Sequence, residues 1–128
     1  MKITIEGPVK CKGSECEPIL RALPEWFGIE EAIREYVRDI DALPTFIART
    51  DEGGAVGFIT LKEHTPWAAE IHVMGVEPAA HRRGVGRRLV ARAEAYLRQR
   101  GIEYLQVKTL SADHPDEHYA RTRAFYRA

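Results

Sequence analysis

Apolar and polar residues alternate from Ile3 to Glu6, which predicts a short first strand that Pro8 ends. Lys10 to Glu17 is polar and reads as a loop. Trp26, Ile29, Ile33, Tyr36, Val37 and Ile40 then recur at spacings of three and four, the signature of an amphipathic helix. Glu30 and Glu31 stand in its first turn, where the helix dipole favours acids. Pro44 closes the region. Thr45 to Thr50 and Ala55 to Lys62 are rich in β-forming types, and Asp51-Glu52-Gly53-Gly54 between them predicts a hairpin turn. Thr65-Pro66 marks a second turn. Ala68 to Val76 reads as a strand with Ile71, Val73 and Gly75 on one face and Glu70, His72 and Met74 on the other. Beyond Pro78, Val85, Leu89, Ala93, Tyr96 and Leu97 line one side of a strong helix, and Arg87, Arg88, Arg92 and Arg98 point away. Gly101 is a natural stop. Ile102 to Leu110 reads as a strand. Pro115, Asp116 and Glu117 open a last helix that runs toward Ala128.

The predicted order is strand, helix, three strands in a meander, helix, strand, helix. That is a single α+β domain over residues 1–128, a mixed sheet sandwiched by helices. The length of 128 residues suits one domain with one modest core. Nineteen basic and nineteen acidic residues cancel, so no molecular field steers the chain to nucleic acid or to a membrane. No apolar run approaches the length of a spanning helix, and Met1 to Lys10 holds no hydrophobic leader, so a soluble cytoplasmic protein is expected. Cys11 and Cys16 are not spaced as a C-x-x-C pair, and no second Cys/His pair stands at ligand spacing, so no metal is expected. Seven arginines lie between Arg82 and Arg100, yet no aromatic residues interleave with them, which argues against nucleic-acid binding.

The stretch from Val76 to Arg87 carries the chemistry. Gly84 and Gly86 sit where the long helix begins. First-turn N–H groups lack intrahelical partners, and with the dipole they form an anion site. Glycine lets phosphate oxygens approach the backbone, and Arg82, Arg83 and Arg87 can add charge-assisted hydrogen bonds. A bland reading remains, in which the glycines merely make a tight turn and the arginines are solvated. A Walker loop is excluded because no Gly-Lys-Ser/Thr is present. A Rossmann turn is disfavoured because position 89 is Leu and a loop separates the glycines from the strand.

The run His81-Arg82-Arg83-Gly84-Val85-Gly86 resembles the Gln/Arg-x-x-Gly-x-Gly/Ala motif of the GCN5-related N-acetyltransferases (GNAT). A strand ending Met74-Gly75-Val76-Glu77-Pro78 precedes it and a long amphipathic helix follows, as in that family. The closing Thr122-Arg123-Ala124-Phe125-Tyr126 resembles the family's last motif, so the likeness runs from about Thr45 to the end. It implies acetyl-CoA as co-substrate and a GNAT fold. The pyrophosphate would lie on the loop His81, Arg82, Arg83, Gly84, Val85, Gly86 and Arg87. The pantetheine arm would pair like an added strand with Met74, Gly75 and Val76.

Acyl transfer to an amine needs a base, because an alkyl ammonium with a reference pKa of about 10.4 is no nucleophile at neutral pH. It also needs a backbone donor for the oxyanion and an acid for the departing thiolate. The resemblance implies Glu70 as base, and His72 on the same face is the alternative. It implies Tyr126 as the acid. The amide of Met74 or a neighbour suits the oxyanion. A small-molecule or peptide amine is the expected acceptor, and a non-catalytic CoA-binding or regulatory module is the alternative function. Two departures stand out: His81 replaces the usual Gln or Arg, and the family normally continues past this point into two more strands. A fragment, a partner chain such as a second copy completing the sheet, and an incomplete site all remain open.

Overall fold

The first strand, β1 (Ile3–Val9), runs through Pro8 instead of ending there. It occupies the edge of the sheet, where a missing N–H costs no ladder bond, and its register shifts between Glu6 and Val9, around the proline. The computed structural model describes residues 2–24, 27–81, 83–109 and 118–124, and from Val107 onward the backbone alone.

The polar stretch expected as a loop contains the helix α1 (Gly13–Arg21). Its apolar stripe is only Cys16, Ile19 and Leu20, too narrow to stand out among charged neighbours. The Cys16 thiol is therefore part of the core, and burial pushes its pKa up to about 12, whereas Cys11 is exposed. The helix α2 (Glu30–Ala42) turns Ile33, Tyr36 and Ile40 inward. Asp41 ties the two helices: its Oδ1 accepts from the Gly13 N–H at 2.7 Å.

The strands β2 (Thr45–Thr50), β3 (Ala55–Glu63) and β4 (Ala68–Val76) form the expected meander. A short 3-10 turn at Pro78–Ala80 leads to α3 (Val85–Gln99), and β5 (Tyr104–Thr109) follows. The sheet order is sequential. Among the described strands only β4 and β5 pair in parallel, joined across one face by α3. Gly101, at φ +86°, ends that helix as expected.

The last described segment differs from expectation. Residues His118–Ala124 form a strand, β6, antiparallel to β5, where a helix running from Pro115 was predicted. Pro115, Asp116 and Glu117 carry only local signals for a helix start. Pairing satisfies the outer N–H and C=O row of β5, which local propensity does not register. Tyr119 and Thr122 thus belong to a strand.

Two cores flank the sheet. Val85, Leu89, Ala93 and Leu97 of α3 pack on Phe46, Ile59, Leu61 and Ile71. On the other face Cys16, Leu20, Ile33 and Ile40 pack on Ile47, Phe58 and Val73. Burying a side chain such as Phe58 stabilises by roughly 1.5–3 kcal/mol. Gly57 lets α3 lie close, because a Cβ there would come within 3.1 Å of Val85 and 3.2 Å of Leu89.

A bulge in β4 decides where the site's side chains point. Thr60 faces Val73 and Leu61 faces Ile71, so His72 is the extra residue. The expected alternation breaks there. Ile71 packs toward α3 but Val73 toward α1 and α2, and Met74 joins the α3 side, apart from Glu70 and His72. Register is a property of two strands, so β4's own pattern could not reveal it.

Candidate functional site

The N-terminus of α3 is built on Gly84. Its φ of +77° is a left-handed conformation that favours glycine, and its carbonyl accepts the first helical bond from Arg88 at 3.0 Å. No side chain caps this end. Among the described residues, no acceptor takes the N–H groups of Val85, Gly86 or Arg87. Open space surrounds Gly84, and a Cβ on Gly86 would only touch Met74 and Val76. Arg83 and Arg87 are exposed beside this end. Arg88 instead donates to the Ile3 carbonyl at 2.9 Å, and Arg92 lies over the Phe46 ring, so these two tie α3 to the sheet rather than pointing away. Arg82 lies outside the described residues.

Beside that end, β4 loses its neighbour. It pairs with β5 from Ala68 through Ile71 and no further, while its pairing with β3 continues to Val76. The Glu77 N–H donates to the Val56 carbonyl at 2.8 Å, toward β3. Strand alternation then turns the N–H and C=O of Val76 and Met74 away from β3, into the gap, and those of Gly75 toward β3. His81 reaches back to this edge: its Nε2 donates to the Val76 carbonyl at 2.7 Å. The structure thus brings Met74, Val76, Gly84, Val85, Gly86 and Arg87 around one opening, with the His81 ring on the strand edge.

Glu70 sits where the opening begins, in register with Gln106 and one residue before the last β4–β5 partner. It is buried at 2% exposure. One carboxylate oxygen meets His64 Nε2 at 2.5 Å, and the other meets His72 Nδ1 at 3.3 Å. His72 Nε2 in turn meets Asp39 Oδ2 at 2.8 Å. The Tyr36 ring lies against the His72 ring at 5.8 Å between centroids, and Phe27 packs edge-on to Tyr36. The arrangement is a buried carboxylate held between two imidazoles, groups chemically able to exchange protons. Among the described residues no cluster of His, Cys, Asp and Glu is arranged for a metal, and no helix is long and apolar enough to cross a membrane.

His64 and Asp39 escaped the sequence reading. The Thr65-Pro66 turn was the available signal for His64, because the hairpin sets its N–H on the Ala68 carbonyl at 2.9 Å, close to Glu70. Asp39 follows Tyr36 by three positions on α2, but only tertiary packing shows what it faces. Tyr126 and Trp26 lie outside the described residues.

Known proteins share this architecture. The model of the acetyltransferase (GNAT) family matches residues 15–126. A mycothiol acetyltransferase of Rhodococcus erythropolis is 37% identical over 79 residues, which is 58% of this chain and 26% of that protein. The N-alpha-acetyltransferase RimI of Mycobacterium tuberculosis is 39% identical over 56 residues, 44% of this chain and 35% of that one. The chain therefore spans about a quarter to a third of the length of these curated relatives. Among solved structures, the PaiA N-acetyltransferase of Thermoplasma acidophilum in complex with coenzyme A superposes with a TM-score of 0.68 at 18% identity, covering 86% of this chain and 80% of that one. At that identity the likeness concerns the fold.

Proposed function

Because the chain belongs to the GNAT acetyltransferase family, we propose that it moves an acetyl group from acetyl-CoA to a primary amine by direct attack in a ternary complex. The observation that carries this reading is the opening beside β4. Outward backbone groups of Met74 and Val76 meet the uncapped first turn of α3 there. Val85, Gly86 and Arg87 hold the pyrophosphate on their amides, assisted by Arg82 and Arg83. Met74 and Val76 pair with the pantetheine amides as a neighbouring strand would, once the His81 ring yields the Val76 carbonyl. Gly75 keeps the strand continuous between them.

Glu70, with His72 on its second oxygen, takes the ammonium proton of the acceptor. The Met74 N–H donates to the developing oxyanion. Tyr126 protonates the departing thiolate. The acceptor is a small-molecule or peptide amine, and the reaction takes place in the cytoplasm.

Two measurements on the full chain test the reading. Saturating CoA is expected to raise the melting temperature by several degrees, since ligand at a hundred times its Kd adds about 2.7 kcal/mol. Acetyl-CoA with a panel of amines is expected to release free thiol. A melting point indifferent to CoA would remove the basis of the proposal. CoA binding with no thiol release from any amine would leave a non-catalytic CoA-binding module.

A further inference from the structure

We infer that His64 is the relay that carries the proton taken by Glu70 out to solvent. The inference rests on the acetyl-transfer reading of the same site. An alkyl ammonium gives up one proton before its nitrogen can attack the thioester carbonyl. When the C–N bond has formed and the C–S bond breaks, the nitrogen loses a second proton and the thiolate gains one. Each turnover therefore leaves one proton to be discharged, and Glu70 receives it. At 2% exposure Glu70 is almost wholly shielded from bulk water.

Among the described residues, two hydrogen-bonded arms lead away from it through histidines. The first is a single link: Glu70 Oε1 to His64 Nε2 at 2.5 Å, and the His64 side chain is 39% exposed at the β3–β4 turn. An imidazole takes a proton on one ring nitrogen and releases another from the opposite nitrogen, so one tautomer change completes the transfer. The second arm starts with a longer link of 3.3 Å to His72, which is 8% exposed. It reaches solvent only one step further on, at Asp39, which is 44% exposed, and the Tyr36 ring packs against the intervening imidazole. Both arms end in solvent, and the one with a single short link is the outlet. The Asp39–His72 arm positions the carboxylate.

His64→Gln tests the relay. Glutamine keeps a donor for Glu70 but cannot pass a proton on. In dilute buffer, kcat is expected to fall by about tenfold or more, with KM for acetyl-CoA and the CoA-induced melting shift unchanged. Added imidazole is expected to restore kcat in proportion to its concentration, because a mobile proton carrier replaces the lost ring. Wild-type kcat in His64→Gln at low buffer would overturn the inference and leave the transfer reading intact. A loss that imidazole does not reverse would also overturn it, making His64 a structural prop. A wild-type chain that binds CoA yet acetylates no amine would overturn both.

Discussion

Gly84 stands at φ +77° with nothing within 4 Å of the place a Cβ would take. Only the backbone opposes a side chain there, and the left-handed conformation costs an L-residue roughly 1–2 kcal/mol. Gly84→Ala should lower the melting temperature by a few degrees and weaken CoA binding, as the loop relaxes out of the geometry that aims the α3 amides. Calorimetric melting and a CoA titration check both, and an unchanged affinity would show that the turn does not shape the anion site. Single residues were unevenly legible in the sequence. Gly84 and Gly86 announce themselves because glycine at a helix start has few uses. Glu70 and His72 could be placed on one face of a strand. His64 and Asp39 could not be joined to them, because the first reaches Glu70 across a turn and the second arrives on a helix 33 positions before His72.

Between elements, the Arg49 guanidinium is a polar clasp with two carboxylate partners. It holds the Glu15 carboxylate of α1 at 2.7 Å and the Glu6 carboxylate of β1 at 2.8 Å. The hydrogen bond from Arg49 holds the Glu15 pKa down at about 2, against an ordinary 4.5. A depressed carboxylate contributes stability that is complete above its unfolded value and is lost as pH falls through its folded one. The α1 clasp should therefore weaken from about pH 4.5 down toward 2. Arg49→Met should melt lower than wild type at pH 6, and the gap should narrow as the pH falls through that window. A gap of constant size from pH 6 to pH 2 would mean that Glu15 is not the partner that matters. Elements with a strong repeat were legible: β2, β3, β4 and α3 lie where their patterns put them. Short or context-dependent ones were not. The stripe in α1 is three residues wide, β1 survives its proline because it is an edge, and β6 owes its form to the strand beside it.

At the scale of the molecule, the described residues form a six-stranded sheet between one long helix and two shorter ones. The meander and the crossover through α3 were readable from the order of elements, and the family likeness from the His81–Gly86 motif set within that order. What the order could not supply was the one-residue bulge in β4 and the separation of β4 from β5 past Ile71, which depend on register. That separation has a consequence for hydrogen exchange. The middle of a sheet is ordinarily where amide protons are slowest to trade with deuterium, because opening it means unfolding the protein. Here the amides of Met74 and Val76 lie in a central strand yet, among the described residues, have no partner strand on one flank. They should take up deuterium far faster than the intervening Gly75 and slow sharply once CoA is added. The strand would then register an arriving ligand as a fully hydrogen-bonded sheet registers folding.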